Sequence, residues 1–147
     1  MKVCIERGVK IVLGAPFASG LLTNPDNPEV CYNYGPVPRK VRARAVEIQK
    51  CCKDFRVPLM AAALQFLLFH PAVCFVVTDA RTAWQVEENV KDFKFEIPKQ
   101  LWVEMKRRFL ILHDAPVERV FNSIDLEEKV EGQISQRGAS RKQFQFS

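Results

Sequence analysis

Arg81 stands directly before a predicted helix, where its side chain could bind a phosphate or a ribose. Thr82 is a good N-cap residue, so the helix is predicted to begin there. The guanidinium of Arg81 and the free N–H groups of the first helical turn would then face one region and favour an anion. Further along, Gln85, Glu88 and Asn89 take neighbouring positions, which could form a binding site or a solvated helix face.

A second candidate site is the segment Gly14–Leu21, which is rich in small residues. Glycine and alanine let a ligand approach the backbone closely, and an ordered turn can present several N–H groups to one anion such as a pyrophosphate. The same residues would also suit a tight turn that binds nothing. The spacing alone leaves both interpretations open.

Each candidate segment follows a predicted strand, Val9–Leu13 in one case and Val73–Val77 in the other. The second strand is a short run of β-branched and aromatic residues, and an almost entirely apolar helix, Leu59–Phe69, precedes it. Pro58 suits the start of that helix, and the residue before Pro71 is driven out of the helical region, which ends it. The order helix, strand, helix predicts parallel strands, which we expect to be buried on both faces.

The remaining elements are predicted from turn and helix signals. Met1–Arg7 is predicted to form a short helix that ends at Gly8, and Gly14–Pro36 a long loop because prolines and glycines interrupt it. A helix over Pro38–Phe55 is expected to have a solvated basic face, and a last helix over Pro98–Leu110 a buried stripe. The basic residues are Arg39, Lys40, Arg42, Arg44, Lys50 and Lys53; the stripe is Leu101, Met105 and Phe109.

Composition argues against several classes of function. The net charge of +5 comes without the motifs of a nucleic-acid-binding fold, and the apolar runs are too short to cross a bilayer. Glu6 and Arg7 interrupt any signal-like stretch, so a cytoplasmic protein is expected. The five cysteines show no CxxC spacing and are expected to be reduced, and His70 and His113 are too isolated to predict a metal site.

The order of these motifs resembles the C-terminal part of the aldo-keto reductases. VVTDARTAWQVEEN (76–89) is similar to the family's last strand and cofactor helix, and ERGVKIVLGAPFASGLL (6–22) to its seventh strand and following loop. The branch most similar oxidises aldoses of the L-fucose or D-threo-aldose type. Tyr32–Pro36, the helix from Pro38, and PLMAAALQF (58–66) continue the resemblance, which covers roughly residues 3–116.

The resemblance implies a nicotinamide cofactor, NADP or NAD. It implies that Ser19, Gly20 and Leu21 line the cofactor diphosphate, and that the Glu88–Asn89 pair hydrogen-bonds adenine. Together with Arg81 and Gln85, these residues make up the predicted cofactor site.

This chain departs from the family pattern just before Arg81. The family has Pro-Gly where this chain has Thr78-Asp79. A carboxylate at Asp79 would repel a nearby phosphate or pair with Arg81, which would weaken the binding of NADP relative to NAD or abolish cofactor binding.

The resemblance also implies an α/β fold, the C-terminal portion of a TIM (β/α)8 barrel with about two parallel strands plus helices. A complete barrel needs about 250 residues, and this chain has 147, so an incomplete barrel is expected. We predict a partial aldo-keto reductase domain over residues 1–116 and a polar, partly disordered tail over 117–147. The family's catalytic tyrosine, lysine, aspartate and histidine are expected to lie outside this chain, so no residue is assigned a catalytic role.

Three functions fit these expectations. The chain could be part of an NAD(P)-dependent aldose dehydrogenase that is inactive alone, a non-catalytic half-barrel that binds a nucleotide or a partner, or a truncated product without function. Because an incomplete sheet leaves unpaired strand edges, self-association or docking onto a complementary half-barrel is expected. Neither nucleic acid nor a membrane is expected as a partner.

Overall fold

The protein is an α/β chain in which helices flank a two-stranded parallel sheet, as expected from the sequence. The structure, a computed structural model, describes residues 2–118; the predicted tail beyond Glu118 lies outside them, and the domain boundary at residue 116 stays a prediction. The sheet is open, which is consistent with part of a barrel. The elements are α1 (Lys2–Glu6), β1 (Ile11–Gly14), α2 (Arg39–Asp54), α3 (Leu59–Leu67), β2 (Val73–Val77), α4 (Ala83–Lys94) and α5 (Lys99–Arg107).

Prolines start three of the helices, as the sequence predicted. Pro38, Pro58 and Pro98 occupy the N-cap positions of α2, α3 and α5, with φ between −65° and −60° and extended ψ. The proline ring fixes φ near the value that the helix entry needs, and no backbone N–H is lost from the helix itself. These helix starts are therefore specified locally.

The ends of α2 and α5 share one motif, and it corrects the predicted stripe on α5. Arg56 and Phe109 take left-handed backbone conformations with φ of 56°, and the next residues, Val57 and Leu110, turn back towards the core. The Leu110 N–H donates to the Met105 carbonyl at 2.8 Å, the helix-closing bond of this motif. Leu110 is therefore buried, and the prediction that Phe109 is buried was wrong, since it is 78% exposed.

The core lies between α2, α3 and α5. Trp102 of α5 packs edge-on against Phe69, with ring centroids 5.2 Å apart, and stacks with Phe66 at 5.9 Å. This arrangement confirms that the apolar helix α3 is buried. The buried residues of this core include Cys51, Cys52, Val57, Leu59, Ala62, Leu101, Met105 and Leu110.

The sheet does not match the prediction that both faces are buried. Val12 of β1 pairs with Phe75 of β2, and these side chains are 58% and 56% exposed, with Val77 at 55%. The helices cover one side of the two strands only, so the other side stays open among residues 2–118. Within the same residues, each strand also keeps one edge that no other strand pairs with.

A buried glutamine fixes α4 against α3. The Gln65 side chain, only 8% exposed, donates from Nε2 to the carbonyls of Asp92 at 2.9 Å and Phe95 at 2.8 Å. These carbonyls lie at the C-terminal end of α4, where helix carbonyls lack partners within the helix. The sequence analysis treated α3 as an apolar element and did not identify this contact.

The predicted solvated basic face of α2 is confirmed for the exposed Arg44 and Lys50, although Arg44 also contacts the end of α5. Arg44 donates from Nη2 to the carbonyls of Phe109 at 2.7 Å and Leu110 at 3.0 Å, and so ties α2 to the end of α5. Arg42 is bonded to a loop, as described below. Lys50 does remain at the surface in an ion pair with Glu47.

Candidate functional site

The two predicted binding segments leave the sheet from the same edge. Gly14, the last residue of β1, is the partner of Val77, the last residue of β2. Because the strands are parallel, the chain that follows each of them begins at their shared C-terminal end. In open and closed parallel sheets this end is where ligands bind.

The first segment is a compact turn whose N–H groups are used internally. Ser19 and Gly20 have φ of 57° and 93°. The Gly20 N–H donates to the Phe17 carbonyl at 3.0 Å, and the Leu21 N–H to the Ala18 carbonyl at 3.3 Å. Leu21 is also almost fully buried. The amides of Gly20 and Leu21 could therefore reach a diphosphate only if this turn opened, whereas the Ser19 side chain is half-buried at the surface.

The loop that follows is held by Arg42, which lies in the first turn of α2. Its guanidinium donates from Nη1 to the carbonyls of Pro25 at 2.6 Å and Asn27 at 2.8 Å, and from Nη2 to Pro28 at 3.4 Å. The prediction of a solvated basic face is thus wrong for Arg42, which is half-buried against this loop. The sequence contains only an indirect sign of the Arg42 contacts. The loop is rich in turn residues, and backbone carbonyls in such a loop need hydrogen-bond donors from elsewhere in the chain.

The second segment forms a capped helix start, as predicted. Thr82 is the N-cap of α4, and its hydroxyl accepts a hydrogen bond from the Gln85 N–H at 3.2 Å. The Gln85 side chain also bonds to the residue before the N-cap: its Oε1 accepts a hydrogen bond from the Arg81 N–H at 2.6 Å. This reciprocal arrangement resembles a capping box. Gln85 therefore holds the loop, and its oxygen is not free for a ligand in this conformation.

Arg81 offers an exposed cation at this helix start. Its side chain forms no ion pair within the described residues, and the possible pairing with Asp79 does not occur there. In the same part of the chain, the amides of Ala83 and Trp84 have no hydrogen-bond acceptor. Two uncommitted amides beside a guanidinium form a suitable environment for a phosphate group.

The remaining predicted residues lie on α4, one and two turns further along. Lys91 Nζ donates a hydrogen bond to Glu88 Oε1 at 2.6 Å in an ion pair, and this hydrogen bond raises the pKa of Lys91. Asn89 is half-buried beside it. Burial, and then the charge of Glu88, raise the pKa of Asp92. Glu88 and Asn89 present one carboxylate and one amide, which together can accept from and donate to a base edge.

The histidine next to the sheet lies away from this edge, whereas Cys31 is bridged to Gly20 of the first segment. His70 precedes β2, at the opposite end of the strand, and its Nδ1 accepts the Ala72 N–H at 3.2 Å, which confirms a turn role. Residues 2–118 contain no cluster of side chains able to hold a metal ion. Nor does this part of the chain contain a helix that could span a membrane.

Comparison with known proteins gives the family. The model of the "Aldo/keto reductase family" matches residues 1–107. This chain belongs to the aldo/keto reductase family. It is 34% identical to pyridoxal 4-dehydrogenase of Microbacterium luteolum over 106 residues, which are 72% of this chain and 31% of that protein. It is 35% identical to D-threo-aldose 1-dehydrogenase of Pseudomonas sp over 112 residues, which are 76% of this chain and 34% of that protein.

This member of the family therefore spans about a third of the length of the relatives it matches. Its two parallel strands are consistent with part of the barrel that the family implies. Aldo-keto reductases are oxidoreductases, and both relatives are dehydrogenases by name.

Proposed function

We propose that this chain provides the adenosine-binding part of a nicotinamide-dependent aldose dehydrogenase of the L-fucose or D-threo-aldose type. The observation that carries the proposal is the shared sheet edge, from which the Ser19–Leu21 turn and the Arg81 helix start both depart. Family membership supports it, since aldo-keto reductases generally use nicotinamide cofactors. The proposed cofactor-binding residues are Ser19, Gly20, Leu21, Arg81, Gln85, Glu88 and Asn89.

The described residues fit the adenosine side of such a cofactor. Arg81 and the amides of Ala83 and Trp84 would hold a phosphate, and Asn89 with Glu88 would contact the base. The oxidised nicotinamide, when bound, would supply the hydride acceptor for the oxidation of the substrate carbon. We assign this chain no catalytic residue, and we propose that it has no turnover alone, because hydride transfer from an alcohol also requires a group that takes its proton.

The choice between NADP and NAD depends on Arg81 and Asp79. An exposed guanidinium at a helix start favours a 2′-phosphate, and a carboxylate two residues earlier opposes it. We therefore propose NADP or NAD, with binding weaker than a family member with glycine at position 79 would show.

Titration with NADPH and NADH tests this proposal. Trp84 is exposed beside Arg81, so its fluorescence should fall when a dihydronicotinamide binds, and Trp84→Phe should remove that signal. Arg81→Ala should weaken NADPH about tenfold or more and NADH less, because only NADPH has the 2′-phosphate. Asp79→Asn should strengthen NADPH. Arg39→Ala, which removes an exposed cation from α2, is the matched control; equal effects of both arginine variants would contradict the proposal.

A second candidate is a non-catalytic half-barrel that docks onto a complementary half-barrel or onto its own copy. The open sheet face of Val12, Phe75 and Val77 favours it, since exposed apolar strands tend to be covered by a partner. The two candidates are compatible if the partner carries the catalytic residues. The proposed location is the cytoplasm, which the five unpaired cysteine thiols support.

The substrate can be tested once this chain is combined with a complementary half-barrel that carries the catalytic residues. The two relatives are named for an aldose and for pyridoxal, which are different substrates. Turnover of L-fucose but not of pyridoxal in the reconstituted protein would support the aldose assignment, and the reverse preference would contradict it.

A further inference from the structure

We infer that Arg42 is the positioning residue of the Ser19–Leu21 turn, so that a side chain on α2 sets the geometry of the proposed diphosphate loop. The inference rests on the proposed function for the role of that turn. Its structural part rests only on contacts within the chain.

The contacts of Arg42 are directed at one short piece of loop. Its three bonds reach the carbonyls of Pro25, Asn27 and Pro28, which lie within four consecutive residues. A guanidinium suits this task because its planar fork presents N–H groups from separate nitrogens, whereas the three donors of an ammonium all lie on one nitrogen. The neighbouring Pro25 is fully buried, so this part of the loop is also fixed by packing.

The clamped piece is joined to the turn from both ends. On one side the Thr23 hydroxyl donates to the Gly20 carbonyl at 2.7 Å. On the other side the Asn27 side chain accepts the Glu29 N–H at 2.9 Å, and two residues later Cys31 forms an isolated parallel bridge with Gly20. A shift of the loop residues that Arg42 binds would therefore displace Gly20 through two separate connections.

The cation of Arg42 is committed to these carbonyls. Within the described residues it forms no ion pair with a carboxylate. Carbonyl oxygens in an irregular loop lack the partners that a helix or sheet would provide, so removal of Arg42 leaves those of Pro25 and Pro28 to water, while the Asn27 carbonyl keeps the Val30 N–H at 3.4 Å. The expected consequence is a loosened loop in an otherwise intact fold.

Hydrogen exchange of the 147-residue chain measures this directly. Arg42→Ala should raise the exchange rate of amides within residues 17–31 by about tenfold, while peptides from α3 and α5 keep the wild-type rate. Arg42→Lys should restore part of the protection, since the ammonium can still donate to a carbonyl but lacks the planar fork. Arg39→Ala is the matched control, because it removes an arginine from the same helix, at a position without loop contacts.

The second measurement is NADPH affinity in the same variants. Arg42→Ala should weaken NADPH several-fold, because the Ser19 side chain, which could reach a diphosphate without opening of the turn, is no longer held in place. NADH should be weakened equally, because the diphosphate is common to both. Arg81→Ala should instead weaken NADPH selectively. This contrast separates positioning of the diphosphate loop from contact with the 2′-phosphate.

Several outcomes would overturn the inference. Unchanged exchange in 17–31, or loosening of the whole chain by Arg42→Ala, would show that Arg42 does not position this loop. A loosened loop with unchanged NADPH affinity would show that the loop does not contribute to binding. A wild-type chain that binds neither nucleotide would contradict the proposed function instead. The exchange data would then test only whether Arg42 positions the loop.

Discussion

Gly14 and Val77 are paired at the last position of the parallel sheet, so the two loops that carry the proposed cofactor site start side by side. Neither strand contributes a polar side chain there. The sheet acts as a frame, and the chemistry lies in the residues that follow it: the Ser19–Leu21 turn after β1 and the capped helix start at Arg81 after β2.

Gln65 is expected to stabilise the position of α4. Gln65→Leu keeps the volume but removes the side-chain donor from the carbonyls of Asp92 and Phe95, of which only Asp92 keeps another donor, the Phe95 N–H; the loss should cost about 1–2 kcal/mol of unfolding free energy. Urea denaturation measures the change. Gln100→Leu, an exposed glutamine on α5, is the control and should stay close to wild type; equal stabilities for the two variants would show that the Gln65 contacts contribute nothing.

Most of the element order was predictable because it depends on local signals. Prolines start the helices, Thr82 caps α4, and short β-branched runs form the strands. The errors concern tertiary relations. Phe109 and Leu110 are both apolar, and only the left-handed turn at Phe109 decides which of them is buried. Similarly, nothing local shows that Arg42 reaches carbonyls 14 to 17 residues earlier. The site residues could be proposed from family resemblance, but the internal bonds of Gly20 and Leu21 could not.

Glu104 is expected to make stability depend on pH at the acid end. Hydrogen bonds from Arg107 and Arg108 hold its pKa down at about 2. The unfolded value is about 4.3, so the stabilisation is complete above that pH and is lost as the pH falls towards 2. Arg108 also bonds Asp54 at 2.9 Å, which links this network to α2.

Urea midpoints measured from neutral to acid pH test this expectation. Glu104→Gln should flatten the decline below about pH 4.3, by a modest amount because the group is near solvent and salt screens it. Glu96→Gln, an exposed carboxylate in the α4–α5 connection, serves as the control. If the Glu104→Gln midpoints decline in parallel with wild type, Glu104 does not control the acid stability.

The cysteines are expected to differ sharply in reactivity. Burial raises the pKa of Cys52 to about 12, and burial also raises the pKa of Cys51. At about pH 8 only on the order of one Cys52 thiol in 10,000 would be ionised, and its side chain is inaccessible as well. Cys31 is exposed. Peptide mapping after brief alkylation should find Cys31 modified first and Cys52 modified only in denaturing urea; equal rates in the native chain would contradict the packing of α2.

The open sheet face is expected to drive self-association. Phe75 is more than half exposed beside Val12, and both strands have an unpaired edge among the described residues. Light scattering after gel filtration should find dimers or larger species for the wild-type chain, and Phe75→Thr should shift them towards monomer. Val103→Thr removes an exposed apolar side chain of α5, outside the sheet, and should leave the distribution unchanged. A wild-type chain that elutes as a clean, cooperatively unfolding monomer would contradict this expectation.

The most direct test of the proposed cofactor site is to locate NADPH on the chain by amide chemical shifts. A titration to about 1 mM, the upper end of common enzyme affinities, should perturb two groups of residues that follow Gly14 and Val77. The amides of Ser19, Gly20, Arg81 and Asn89 should shift together and saturate at one dissociation constant. Absence of any shift, or shifts confined to the outer helices α2 and α5, would contradict a nucleotide site at this sheet edge.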